Sequence, residues 1–385
     1  METERVFKVC LLGSDPVMVK GGQDPIGLGT KFLYEHMVTV LKEDCVRDLE
    51  VELVPFFPNS LVEWEKGLAN IFERCDLLHI EYYFEAWGLS PAPGLFPGLL
   101  KLIPHHRRVK LVTKLHEWRL LHPLRKASIL PLVSVAEGIL FASKRELSTF
   151  KGNLAYKLRP RKPLMDVAPH GVQVTIPDLH SRETLDVRER LLNWGGVKAD
   201  ILLGYFGNFY ASKQPEKMIH TVKVLLERGV RSRLVMAGNF PADHLKQKEE
   251  FLQRIKELGL QNHILYLGFV ADERVLARTL SACNVVLLLY SDGVAIHKGS
   301  FWTTLELGAP IITTEPPSGE FDDFLPQGFY DVVRFVERRA DPKVIADAVS
   351  QFEEFRLPQQ RRGISPDWKA IAAKHIAFYR QVLEI

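Results

Sequence analysis

Residues 291 to 314, SDGVAIHKGSFWTTLELGAPIITT, hold the residue types and spacing best suited to grip an anion. Gly299 and Ser300 predict a helix start, whose first backbone N–H groups have no intrahelical partner and carry the positive end of the dipole, an arrangement suited to a diphosphate. Lys298 adds a full positive charge beside them. Gly308 and Pro310 predict the helix end, and Ile311-Ile312-Thr313-Thr314 a short buried strand. The same residues also fit an ordinary capped helix of an α/β domain, so the rest of the chain has to decide.

Other candidates sit at the ends of expected strands, the edge where open α/β sheets bind ligands. In LGYFGNFYASKQPEKMI a buried strand ends at Gly207, and Lys213 follows just before a helix expected from Pro215. His116 in TKLHEW follows a strand expected over Val109–Lys114. His79 in LLHIEYY is read at a similar edge position, with Tyr83 and Trp87 in the adjoining loop. Near the start, Gly21, Gly22, Gly27 and Gly29 form a loop whose backbone, lacking Cβ atoms, can approach a phosphate closely. Their spacing does not fit GxGxxG, and no acid is clearly placed for a ribose, which argues against a nicotinamide enzyme. The pair in FDDF, residues 321 to 324, resembles a metal site only superficially, and neither a metal nor a cofactor is expected.

With 46% hydrophobic and 25% charged residues, the 385-residue chain predicts two globular domains. No apolar run approaches the roughly 20 residues of a membrane span, and METERVFKVCLLG does not read as a signal peptide, so a cytoplasmic protein is expected. Cys10, Cys45, Cys75 and Cys283 form no CxxC and read as core thiols. Charge is uneven: residues 1 to 100 carry 8 Lys/Arg against 16 Asp/Glu, whereas residues 101 to 170 carry 15 against 4, a surplus of 11. Its densest part is Lys144, Arg145, Lys151, Lys157, Arg159, Arg161 and Lys162. Such a patch fits either a solvated surface or peripheral contact with an anionic membrane; no motif points to nucleic acid.

The expected elements alternate. Strands are predicted at Phe7–Gly13, Leu49–Pro55, Asp76–Glu81, Val109–Lys114, Ile139–Ala142 and within VAPHGVQVTIP, then at Ile201–Phe206, Arg233–Ala237, His263–Leu267, Val285–Leu289 and Ile311–Thr314. Helices are predicted at Lys31–Leu41, Pro215–Glu227, Ala242–Leu258, Glu273–Ala282, Asp341–Phe355 and Trp368–Leu383. The alternation predicts two Rossmann-like, doubly wound α/β domains facing each other across a cleft: residues 1–172, completed by a helix in 366–385, and residues 173–365.

Taken together, the early Gly-rich loop, CDLLHIEYYFEAWG, TKLHEW, VAPHGV, LGYFGNFYASKQPEKMI, LGFV, the 291 to 314 segment and DWKAIAAKHIAFYRQVL resemble glycosyltransferase family 4, retaining GT-B enzymes that use sugar nucleotides. The resemblance covers nearly the whole length. It implies an acceptor domain followed by a donor domain, and transfer of a sugar from a nucleotide diphosphate to a glycan, lipid-linked or small-molecule hydroxyl. Lys213, Lys298, Gly299 and Ser300 would then stabilise the departing diphosphate and His116 would contact the sugar. Gly22, Gly27 and Gly29 would cover the donor phosphates, backbone near Phe269 would meet the base, and His79, Tyr83 and Trp87 would line the acceptor side. Two departures stand out. Asn208 occupies the position after Gly207 where a basic residue is usual, and Ala295 and Thr303 replace the two usual glutamates, with Glu306 and Asp292 as nearby substitutes. They leave open a catalytically silent sugar-nucleotide binder, a GT-B epimerase or an inverting transferase.

Overall fold

A computed structural model describes residues 5–13, 25–44, 48–56, 60–82, 91–116, 118–119, 121–169, 171–172, 182–240, 245–318, 320–321, 329–351 and 367–384. The chain divides into two compact units, residues 1–173 with 366–385, and residues 174–365.

In the first unit β1 (Phe7–Gly13), β2 (Leu49–Pro55), β3 (Leu77–Tyr82), β4 (Lys110–Leu115), β5 (Gly138–Phe141) and β6 (Leu164–Val167) form one parallel sheet, ordered β2-β1-β3-β4-β5-β6. Parallel neighbours require long crossovers, here α1 (Pro25–Glu43), α2 (Leu61–Arg74), α3 (Ala92–Leu100), α4 (Pro123–Val135), and α5 (Lys144–Gly152) with the short α6 (Leu154–Lys157). Helices cover both sheet faces, which explains the nearly continuous apolar strands. Leu78, Ile80 and Tyr82 share a core with Trp64, Leu68 and Phe72 of α2. Val9, Leu11, Leu77 and Val112 share the opposite core with Leu33, Met37 and Val40 of α1.

The second unit opens with α7 (Arg182–Leu192) and holds β7 (Ile201–Phe206), β8 (Ser232–Ala237), β9 (Ile264–Gly268), β10 (Val285–Leu288), β11 (Ile311–Thr314) and β12 (Val333–Val336). These strands are also parallel, ordered β12-β11-β10-β7-β8-β9. The crossovers are α8 (Pro215–Glu227), α9 (Leu245–Glu257), α10 (Glu273–Ser281), α11 (Gly299–Glu306) and α12 (Phe329–Val332), and α13 (Pro342–Ser350) follows β12. The chain runs outward from β7 to β9 and then returns to β7's other side with β10. The carboxyl ends of β7 and β10 therefore flank the reversal point where such sheets bind ligands.

The last helix, α14 (Trp368–Leu383), returns to the first unit. Its apolar residues Trp368, Ile371, Ala372, Ile376, Tyr379 and Val382 recur at helical spacing, and all lie in the core shared with α1. Asp367 caps it by accepting the Ala370 N–H at 3.1 Å.

Several boundaries differ from expectation. α1 starts at Pro25 rather than Lys31, so Gly27 and Gly29 lie inside a helix and not in a loop. Proline suits a first helical position, and burial of Leu33, Met37 and Val40 outweighs the low helix propensity of two glycines. β6 ends at Val167, the first residue of VAPHGVQVTIP, whose residues 173–177 lie outside the described set, and β12 has no counterpart among the expected strands. Runs of four residues carry too little periodicity to be read. α9 is described from Leu245, residues 241–244 lying outside the described set, and α13 ends at Ser350, with residues 352–366 also outside it. Cys10, Cys75 and Cys283 are buried free thiols; Cys45 lies outside the described residues. Among the described residues no helix is long and apolar enough to cross a membrane, and no group of three or more His, Cys, Asp or Glu side chains could hold a metal. Asp322 and Asp323 of FDDF lie outside them.

Candidate functional site

The ends of β7 and β8 approach so closely that only glycine fits. Gly238 has φ 146°, and a Cβ there would lie 1.9 Å from the Gly207 carbonyl oxygen. Beyond Gly207, Asn208 offers its carbonyl to the Tyr205 hydroxyl at 2.8 Å, and a single turn over Ala211–Lys213 leads through Gln214, in the left-handed region at φ 50°, into α8. The loop after β10 is tied to this turn by the Ser291 N–H, which donates to the Ser212 carbonyl at 2.8 Å. Two separate crossovers are thereby held side by side at the reversal point.

Around Tyr290, just past β10, the candidate residues meet. The Lys213 ammonium lies 4.4 Å from the Tyr290 ring centroid and that of Lys298 lies 5.6 Å from it. Lys298 is also 3.4 Å from the Asp292 carboxylate. No side chain caps the start of α11 at Gly299, and Ser300 places its hydroxyl 3.0 Å from that of Tyr290. A Cβ added to Gly207 would be 3.7 Å from the Ser300 side chain, so the first turn of α11 faces the end of β7. Two ammoniums, a hydroxyl and a helix N-terminus lie together here, an arrangement chemically suited to a multiply charged anion.

The other candidates on this unit are placed differently. Thr303 is fully buried along α11 and Glu306 nearly so. The loop holding Ala295 is fixed from behind: Glu320 accepts the Ile296 N–H at 3.1 Å, and the Trp302 indole donates to the Ile296 carbonyl at 2.6 Å. Phe269 is exposed beyond β9, at the sheet edge, with β8 between β9 and β7. Tyr290 and Glu320 carry no marker in the sequence. A tyrosine closing the run VVLLLY reads as core, and nothing local marks its hydroxyl as a partner for Ser300.

In the first unit Gly22, Tyr83 and Trp87 lie outside the described residues, while Gly27 and Gly29 fall in the first turns of α1. His79 is a correction: it sits inside β3, fully buried, rather than at the strand edge. Alternation turns His79 and Glu81 of β3, Lys114 of β4 and His116 just beyond it toward the same sheet face, where they meet His375 and Tyr379 of α14. His79 Nδ1 lies 2.5 Å from the Tyr379 hydroxyl. His116 donates from Nε2 to Glu81 at 2.6 Å, and Lys114 stands 3.9 Å from the same carboxylate. Burial, aided by the Lys114 ammonium, holds the His116 imidazole well below its usual range. His116 is therefore neutral. The signal that could have located this cluster is the period-two polar pattern within apolar strands.

Comparison with known proteins follows this geometry. Residues 193–363 match the family model for glycosyl transferases group 1. No curated protein sequence matches the chain. Among solved structures, HepE of Anabaena, in complex with UDP and glucose, is similar with a TM-score of 0.64, at 17% identity and with 98% of each chain covered. Sucrose-phosphate synthase from Thermosynechococcus elongatus gives 0.70 at 14% identity, covering 98% of this chain and 99% of that one. The catalytic domain of starch synthase IV from Arabidopsis thaliana, bound to ADP and acarbose, gives 0.66 at 11%, covering 99% and 100%. At such identities the likeness establishes architecture alone. The two parallel six-stranded units therefore have the GT-B fold, and the stretch of the second that matches the glycosyl transferases group 1 model includes Lys213, Tyr290, Lys298 and Ser300.

Proposed function

We propose that the protein transfers a sugar from a nucleotide diphosphate sugar to an acceptor hydroxyl with retention, as glycosyltransferase family 4 enzymes do. The observation that carries this reading is the meeting of Lys213, Lys298, Ser300 and the α11 N-terminus at the β7/β10 reversal point. The UDP in the HepE complex supports a nucleotide donor. As the bond from the anomeric carbon to the diphosphate oxygen breaks, negative charge grows on the leaving phosphate. Fixed donors stabilise it by about 3 to 4 kcal/mol for each well-placed group. The acceptor oxygen bonds to the anomeric carbon on the face the diphosphate leaves, and the leaving phosphate takes the acceptor's proton. Neither a protein nucleophile nor a metal enters this scheme, because the lysines neutralise the leaving group. In this reading His116, held by Glu81, contacts the sugar, and the first unit takes the acceptor.

The test is a thermal-shift panel of UDP, GDP, ADP and TDP with their sugars, repeated on Lys213→Ala and followed by turnover with an acceptor panel. Stabilisation by one nucleotide series, lost in the variant, with sugar transfer, is expected. Absence of any shift would sink the reading. Tight binding without turnover would favour the silent binder suggested by Ala295 and Thr303, and a changed free sugar nucleotide would favour an epimerase.

A separate observation favours peripheral membrane contact by a cytoplasmic protein. Leu154 and Leu158, one turn apart, are 66% and 72% exposed, amid the exposed Lys151, Lys157, Arg161 and Lys162. Co-sedimentation with anionic but not neutral vesicles at low salt is expected, and its absence rejects that contact.

A further inference from the structure

Tyr290 is the residue on which the anion site is built. It is 1% exposed, and one side chain on the neighbouring strand clamps its backbone. The Thr314 hydroxyl accepts the Tyr290 N–H at 3.0 Å and donates to the Tyr290 carbonyl at 2.7 Å, while the Gly293 N–H donates to that carbonyl at 3.1 Å. Strand β11 thus fixes a residue of the loop after β10. Burial pushes the phenol's pKa up, so it remains a neutral O–H.

Two features of that fixed ring face the site. Its π-system attracts the Lys213 and Lys298 ammoniums, which come from different crossovers and would otherwise repel each other. Its hydroxyl meets Ser300 Oγ at 3.0 Å. Either hydroxyl can donate in that pair; when Ser300 gives its proton to an anion, Tyr290 is the donor to Ser300 Oγ.

We propose that Tyr290 is a positioning residue for nucleoside diphosphate binding, its hydroxyl orienting Ser300 toward the diphosphate and its ring setting the two lysines. This rests on the function proposed above, and the experiment separates failure of one from failure of the other. The probe is whichever of UDP, GDP, ADP or TDP binds the wild-type protein most tightly, titrated by calorimetry. Tyr290→Phe, which keeps the ring, is expected to weaken binding about 5- to 10-fold, as loss of one net hydrogen bond does, with its melting temperature checked in parallel. Ser300→Ala is expected to do the same, and the double variant to be no weaker than either single one. Tyr290→Leu, which also removes the ring, is expected to bind more weakly still and with a shallower dependence on salt. A merely structural tyrosine would not produce the Tyr290–Ser300 coupling. Unchanged affinity in Tyr290→Phe or in Ser300→Ala, or full additivity in the double variant, overturns the proposal. Should Tyr290→Phe fail to fold, an unchanged affinity in Ser300→Ala overturns it and a loss supports it. Wild-type protein that binds none of the nucleotides overturns the proposed function itself, and the positioning role with it.

Discussion

Acid should loosen the first unit before the second. His79 of β3 and His375 of α14 lie fully buried with ring centroids 5.8 Å apart. Burial is the main cause holding both at a pKa of about 3, against an ordinary 6.5; nearby Lys114 acts in the same direction and the Glu81 carboxylate opposes it. An opened chain regains the ordinary value, so between about 6.5 and 3 it binds protons that the folded chain excludes, and stability falls as the pH falls. Going from about pH 7.5 to about pH 5.5 takes an exposed histidine from roughly a tenth to roughly nine tenths protonated. That costs between about 1 and 2 kcal/mol for each histidine, and about 3 kcal/mol for the pair, or roughly a hundredfold in the opening equilibrium. His116, also held neutral, adds in the same direction. The assay is hydrogen exchange followed by mass spectrometry on peptides from β3 and α14, with β7 and β10 as internal reference. His375→Gln keeps a donor for the Ile371 carbonyl, which His375 Nδ1 now reaches at 2.8 Å, but removes one titrating group. The acid-induced loss of protection should be smaller by roughly tenfold in that variant. Protection that, after correction for intrinsic exchange, does not change across this pH range, or an unaltered response in His375→Gln, would refute the reasoning.

Two further pairs of substitutions probe the second unit. Gly238→Ala would drive a Cβ to 1.9 Å from the Gly207 carbonyl oxygen, and should cost more than about 3 kcal/mol in denaturant unfolding and abolish nucleotide binding; Gly229→Ala, at φ 79° but with open space, should cost only about 1 kcal/mol. Asn284 accepts the Leu202 N–H and an Arg188 N–H, each at 2.9 Å, so Asn284→Ala should cost about 2 to 3 kcal/mol while Asn284→Asp, which keeps the acceptor, costs less. Equal losses in that second pair would mean the hydrogen bonds are not the cause.

Local pattern made much of this architecture legible. The alternation of apolar runs with helical periodicities indicated parallel sheets, because strands buried on both faces must be apolar throughout. The face of α14 could be read position by position, since one face of a helix repeats every 3.6 residues. The start of α11 was legible too, because Gly299-Ser300 and the glycine after the helix act through their own backbone conformations. Residues 25–29 were misread, since a proline and two glycines weigh as loop signals until packing of the same helix outvotes them.

What the sequence by itself determined is therefore the order of the elements and the residues able to bind an anion, since both follow from chemistry within a few neighbouring positions. Tertiary structure alone decided which of those residues meet. Lys213 and Lys298 belong to different crossovers and share the ring of Tyr290 only because β7 and β10 are neighbours at the strand-order reversal. His79 reads as a strand-edge ligand until α14, from the far end of the chain, closes over it. Contacts between distant segments depend on how sheets are ordered and which faces are covered, and no local periodicity encodes either.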